Sequence, residues 1–384
     1  MQRNTITNLN MKKIFVSAFL LMSAACSIAQ DAIPAWINNV KLSGYGMVQY
    51  QASDQEGKES NSFNLRMLRL SLEGRVVQDF YWKAQIQFNG NTSTLGSSPR
   101  VVDLFAEWQK YKAFRVKVGQ FKRAFTFENP MHPVDQGFMS YSQNVSKLAG
   151  FSDRAGGHAS NGRDIGVQFQ GDIVKNAAGR ELLHYQVGVY NGQGINVKDV
   201  DQRKDIIGGV WVMPVKGMRI GVFGWEGSYA RDGKWTAEDG TEKTGVRSLN
   251  QHRYAISGEY VVNDWTFRSE YIHSTGEAFA KSLVNTNDAN STDCNLSPLG
   301  NKADGFYALT IAPIIKKKLH VKARYDLYRP TADWSKARTQ YEFGADYEFH
   351  RNFQISAEFA RINDRSLKTD HNYNMVDVEV DFRF

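Results

Sequence analysis

The last thirteen residues of the chain, NYNMVDVEVDFRF, set Val376, Val378, Val380, Phe382 and Phe384 against Asp377, Glu379, Asp381 and Arg383 in strict alternation. In a strand, successive side chains point to opposite faces, so one face of this segment is apolar and the other is charged. A charged face cannot be packed dry; it must meet water. The apolar face needs an apolar neighbour, either a second sheet or lipid. The pattern recurs. In LRLSLEGRVV (68–77), Leu68, Leu70, Leu72 and Val76 oppose Arg69, Ser71, Glu73 and Arg75, and in YWKAQIQFNG (81–90), Trp82, Ala84, Ile86 and Phe88 oppose Lys83, Gln85, Gln87 and Asn89.

About sixteen such segments follow one another, near 40–51, 63–77, 81–91, 100–110, 114–122, 163–174, 182–192, 204–215, 218–230, 250–262, 264–275, 303–315, 318–328, 339–349, 352–362 and 372–384. Short connections such as Lys216-Gly217 and Lys316-Lys317 alternate with long ones at 52–62, 123–162, 231–249 and 276–302. A soluble β-helix or large sandwich also alternates, but it would pack its apolar faces on one another and leave this short/long rhythm without a cause. Tight turns at one end and long loops at the other are what an up-and-down transmembrane barrel requires. Strands of roughly ten residues cross the hydrocarbon layer, and closure removes the unpaired edges that lipid cannot satisfy. The expected fold is therefore all-β: an antiparallel up-and-down transmembrane β-barrel of about sixteen strands over 40–384, with the short turns in the periplasm. Phe384 is expected to close the last strand on the first, with Lys41 facing the acidic row Asp377, Glu379 and Asp381 across that seam.

The start of the chain agrees with export. From Met11 it runs MKKIFVSAFLLMSAACSIAQ: two lysines, an apolar run too short to span a bilayer, then small residues. Residues 1–29 read as a signal peptide cleaved after Ala29, with Met11 as the natural start and 30–39 as a short periplasmic segment. Lipidation at Cys26 is the alternative, although Ser23 stands where a leucine is usual. Without Arg3, Lys12 and Lys13, 44 basic residues face 40 acidic ones, a balance too even for a nucleic-acid binder. Cys294 is then the single thiol, so no internal disulfide holds the fold. Aromatics at 12% with only 8 prolines suit alternating strands better than apolar helices. There is no P-loop, dinucleotide fingerprint or zinc spacing, and neither a cofactor nor a metal is expected.

Sixteen strands enclose a lumen wide enough for water, so the inward side chains decide what passes. By phase these are Arg69, Arg75, Lys83, Arg115 and Lys117 from strands two to five, diluted by Glu73, Asp103 and Glu107. Strand thirteen adds Lys322 and Arg324, and strands thirteen to sixteen add Asp326, Glu342, Asp346, Glu348, Glu358 and the terminal acidic row. A basic sector facing an acidic one sets up a transverse field with modest charge selectivity. The connection 123–162 is far longer than ordinary loops, and Phe125, Phe127, Phe138, Tyr141 and Phe151 within it argue for packing rather than disorder. It is expected to fold into the lumen as a constriction, with Lys147, Arg154 and Arg163 as anion contacts.

VGQFKRAFTFENP (118–130), GRDIGVQFQG (162–171), YNGQGIN (190–196) and DWTFRSEYI (264–272) resemble motifs of the phosphate-selective porin O/P family as it occurs in Bacteroidetes-type bacteria. The resemblance runs from about residue 40 to Phe384. It implies a homotrimeric, sixteen-stranded porin in the lipid of a bacterial outer membrane, whose third loop narrows a channel for small polar solutes and anions such as phosphate. Arg268, inside the last motif, joins the pore-lining candidates. The arginine ladder of phosphate-selecting members has no residue-by-residue counterpart here, and the acidic rows of strands fourteen to sixteen depart from it.

A second resemblance lies in GGHASNGRDIGVQF (156–169), where H-x-S-N-G-R is similar to the active-site stretch of outer-membrane phospholipase A. There Ser160 would be the nucleophile and His158 its base. QFQGDIVKNAAG follows in place of a serine-and-asparagine cluster, so no asparagine stands ready to orient His158. Two alternatives to a porin therefore stay open: a non-conducting structural or adhesive barrel, and this phospholipase-like enzyme.

Overall fold

The computed structural model describes residues 40–89, 99–151, 161–280 and 293–384. Sixteen strands follow in chain order: β1 (Lys41–Ser53), β2 (Ser60–Val77), β3 (Phe80–Asn89), β4 (Arg100–Tyr111), β5 (Phe114–Lys122), β6 (Arg163–Lys175), β7 (Glu181–Tyr190) and β8 (Asp205–Val212), then β9 (Met218–Thr236), β10 (Glu242–Val262), β11 (Trp265–Thr275), β12 (Lys302–Ile315), β13 (Leu319–Arg329), β14 (Arg338–His350), β15 (Phe353–Asp364) and β16 (Asn372–Arg383). Each pairs antiparallel with its chain neighbours, and β1 pairs with β16, so the sheet closes into a barrel with no free edge. Backbone bonds between Gly44 and Phe384, at 2.9 and 3.0 Å, extend that seam to the last residue.

The burial pattern is inverted relative to a soluble protein. Leu42, Leu104, Val118, Val222, Ile256, Phe343 and Val376 are exposed, while Arg69, Gln87, Asp103, Glu107, Gln168, Glu379 and Asp381 are buried. This is the arrangement of a barrel with lipid outside and a polar interior. Exposed rings near the short-turn end, such as Tyr111 and Phe114 beside Trp108 and the stacked pair Trp265 and Phe267, form part of an aromatic girdle. No helix among the described residues is long and apolar enough to cross a membrane. The turn joining β10 and β11 is the two-residue Asn263-Asp264, both at positive φ (50° and 73°), the backbone twist that matches two antiparallel strands.

Two sequence expectations change. The stretch 231–249 is a paired extension of β9 and β10, with only residues 237–241 as its turn. Alternation is lost there, since Arg231 pairs with Arg247 and Asp232 with Val246, but ladder hydrogen bonds need no lipid-facing side. Lys41 does not face the terminal acidic row either. Tyr45 is the first β1 residue in register with β16, opposite Arg383, which leaves Lys41 beyond the seam; its ammonium lies 3.9 Å from Glu73 on β2.

The described part of the segment between β5 and β6 lies inside the barrel and carries a short helix, α1 (Gln143–Leu148). Phe125, Phe127, Val145, Leu148 and Phe151 form an apolar cluster with Tyr190, Ile207, Phe223 and Trp225 of the wall. Phe125 meets Trp225 at 5.5 Å and Phe127 meets Phe223 at 5.5 Å, both edge to face. Between them Thr126 adopts φ 61°, a costly conformation for a β-branched residue, held by the burial of both rings. The helix sits close to β12 because residue 305 is glycine: a Cβ there would stand 2.5 Å from Asn144 Cβ. Gly305→Val should therefore lift α1 off the wall at a cost of about 1–3 kcal/mol, the range for overpacking a tight contact. The expected result is a barrel that still shows heat-modifiable gel migration but is newly cut by protease within 123–162; a loop as resistant as wild type would contradict it.

Candidate functional site

The wall opposite β5 and β6 holds the inner segment through charged side chains that bond its backbone. Glu270 of β11 accepts the N–H groups of Phe127 (2.6 Å) and Glu128 (3.0 Å). Asp326 of β13 accepts the N–H of Gln143 at the start of α1 (2.8 Å), and Glu358 of β15 accepts that of Met139 (2.9 Å). Cations of the same wall reach its carbonyls: Arg268 to Gln136, Lys322 to Gly137, Arg324 to Ser140 and Arg253 to Leu148. Within the segment, Glu128 accepts from both the N–H and the hydroxyl of Ser142, bracing one limb on the other. Irregular backbone inside a barrel needs partners for its polar groups, and the inward charges of β10 to β15 supply these ones.

These cations also meet carboxylates: Arg268 with Glu259 (2.6 Å), Lys322 with Glu358 (2.7 Å) and Arg324 with Glu342 (2.5 Å). Three of the sequence candidates thus lie under the inner segment with their charge compensated, and Asp326, Glu342 and Glu358 of the acidic sector lie there with them. Strand phase singled out Lys322 and Arg324, and the last motif singled out Arg268; neither signal carries information about what covers them.

The opposite wall stays open. Between the loop tip at 130–133 and strands β1 to β7 lies a cavity of about 360 Å³, lined by six cations (Arg69, Lys83, Lys117, Lys122, Arg123 and Arg163) and one carboxylate, Asp103. Arg163 is bidentate on Asp103 (2.6 and 3.1 Å), Arg123 pairs with Asp164 at 3.0 Å, and Lys117 lies 3.9 Å from Glu107. Arg69 has no carboxylate partner among the described residues: it is 1% exposed, and its Nε and Nη2 donate to Gln87 and Asn161. Lys122 donates to the carbonyls of Asn129 and Met131 and to the Tyr141 hydroxyl, three neutral acceptors. His132 of the loop tip packs edge-on against Tyr45 at 4.3 Å; burial pushes its imidazole down to about 4 against the opposing pull of Asp135, which leaves it uncharged at neutral pH.

Residues 43–190 match the family model of the phosphate-selective porins O and P. This porin match covers nearly all of β1 to β7, and therefore the whole basic wall and the inner segment. It contains the motifs 118–130 and 162–171; the third motif begins at its edge and DWTFRSEYI lies beyond it. No curated protein sequence matches the chain. Among solved structures, OmpF of Salmonella typhi in complex with daunomycin shares the fold at TM-score 0.61 and 13% identity, over 92% of this chain and 99% of that one. The outer membrane channel DcaP of Acinetobacter baumannii does so at 0.57 and 11%, over 90% and 97%. OmpT of Vibrio cholerae in its trimer form does so at 0.55 and 12%, over 90% and 100%. At these identities the likeness is one of fold: that of outer-membrane porins and channels.

The remaining sequence candidates fall in different places. Arg69, Lys83, Lys117 and Arg163 come together at the cavity. Arg75 and Arg115 sit at the short-turn end, where Arg75 binds the Gln78 carbonyl and Arg115 pairs with Asp172 at 2.7 Å. Lys147 is an exposed residue of α1. Arg154, His158 and Ser160 lie outside the described residues. Lys122 and Arg123 were missed because they belong to the junction of β5 with the loop, where strand phase ends. Arg66 was missed for another reason. The β1–β2 register shifts at Met47/Val48, and this bulge turns Arg66 inward to Glu379 at 2.7 Å although its parity with Leu68 put it outside.

Proposed function

We propose that this protein is an outer-membrane porin that passes small hydrophilic solutes by passive diffusion, with a preference for anions such as phosphate, and that it works as a homotrimer in the bacterial outer membrane. The observation that carries the preference is the position of the inner segment. It lies on the acidic wall, so the open cavity is bordered by six cations and one carboxylate. Fixed charge in a narrow, low-dielectric passage concentrates counter-ions and rejects co-ions. The porin family match over 43–190 and the trimer form of the Vibrio cholerae protein that shares the fold support the remainder of the reading.

The mechanism involves no bond making. A solute entering from the long-loop end meets the constriction, exchanges part of its hydration for Lys83 and Lys117 in the field of the buried Arg69, and leaves toward the short turns. Several weak contacts favour entry without trapping the ion. In a planar bilayer, the purified protein is expected to give open channels in chloride salt. In a salt gradient their reversal potential should carry the sign of anion preference, and added phosphate should reduce the chloride current. Open channels with no charge preference would make it a general porin, and no conductance at all would favour a structural or adhesive barrel.

A further inference from the structure

The cationic cavity has a second chemical character. Three of its lining side chains are rings on neighbouring strands, Tyr81 of β3, Phe105 of β4 and Phe121 of β5, with centroids 6.0 Å and 5.9 Å apart in sequence along the wall. Tyr81 and Phe105 are only partly buried and keep ring surface toward the cavity. The facing side is the loop tip Pro130-Met131-His132-Pro133, which contributes apolar carbon and an imidazole uncharged at neutral pH. The charge is interleaved with these surfaces: Lys117 Nζ stands 5.0 Å from the Phe105 ring and 5.3 Å from that of Phe121. Lys83 makes no ion pair or hydrogen bond among the described residues.

We infer that the constriction is a site for organic anions that carry a flat ring beside their charged group, and that a bare inorganic ion uses only half of it. The inference rests on the anion-porin reading above and deepens it. A phosphate or carboxylate head reaches Lys83 and Lys117, both partly exposed at the cavity, as inorganic phosphate would. Only a solute with a ring can also cover the Tyr81 and Phe105 surfaces against the prolines of the loop tip, removing apolar area from water on both sides. A cavity of about 360 Å³ is of a size to hold one such ring with its head group.

The test uses three probes with the same phosphate head, methyl, phenyl and cyclohexyl phosphate, each titrated against the chloride current of the full-length protein in a planar bilayer. Phenyl phosphate should block at about tenfold lower concentration than methyl phosphate, the discrimination a stacked ring supplies. Phe105→Leu, which keeps apolar bulk but removes the flat face, should bring phenyl phosphate toward the methyl phosphate value and leave the latter unchanged. Because the wild-type ratio decides the matter, a variant that failed to fold would not remove the test. Equal block by methyl and phenyl phosphate overturns the inference while the anion reading stands, and cyclohexyl phosphate blocking as well as phenyl phosphate overturns it in favour of bulk alone. Channels that prefer cations and that no phosphate blocks would remove the anion reading itself.

Discussion

Replacing Lys83 and Lys117 by glutamate together should abolish the anion preference proposed for this protein. The exchange turns six cations and one carboxylate around the cavity into four and three. One unit charge about 5 Å from a monovalent ion is worth roughly 0.8 kcal/mol in a water-like medium, and salt near 0.1 M screens over about 10 Å. Four units of change therefore shift the ratio of anion to cation permeability by at least about tenfold. The reversal potential in a chloride gradient should fall to zero or change sign. Both lysines are partly buried and neither holds the inner segment, so the barrel should assemble as before. The contrast lies across the lumen. Lys322→Met, which removes a cation already paired with Glu358, should leave the sign of selectivity intact. Equal effects from both walls would mean that the covered wall also faces the permeant ion, and the assignment of the passage to the basic side would fall.

Removing the carboxylates that accept the backbone of the inner segment should open the channel further. In Glu270→Ala with Asp326→Ala, the N–H groups of Phe127, Glu128 and Gln143 lose their acceptors. A buried donor without a partner costs about 1–3 kcal/mol, and three of them rival what the aromatic contacts of the segment contribute. The barrel ladder is untouched by either change, so refolding yield and heat-modifiable migration should be preserved. Single-channel records should show a larger, flickering conductance with weaker ion preference, because the segment leaves the acidic wall and uncovers it. A steady conductance equal to wild type would mean that the apolar cluster around Phe125 and Leu148 holds the segment without the hydrogen bonds.

Much of this architecture was legible in the residues for one reason: a strand's side chains have a period of two, and a barrel with lipid outside and water inside makes that period visible at every strand. The alternation in NYNMVDVEVDFRF, and its recurrence about sixteen times, determined the fold class, the strand count and the inward direction of Arg69, Lys83, Lys117, Lys322 and Arg324. The motifs around 118–130 and 162–171 pointed to the porin family that matches residues 43–190. Where period two is interrupted, the sequence lost its hold. The bulge that turns Arg66 inward, the unpatterned junction that brings in Lys122 and Arg123, and the polar extension of β9 and β10 all lie at such interruptions.

Only the tertiary structure decided which inward charges meet the passage. Alternation specifies a face but not what covers it, and the segment 123–162 has no period of its own to reveal where it lies. That position is set by contacts between residues far apart in the chain: Phe127 with Glu270, Gln143 with Asp326, and Asn144 against Gly305. Those contacts lay the segment over the wall of β10 to β15 and leave Lys83 and Lys117 at the opening, so a lumen that reads in sequence as a basic sector facing an acidic one keeps its basic side open in space.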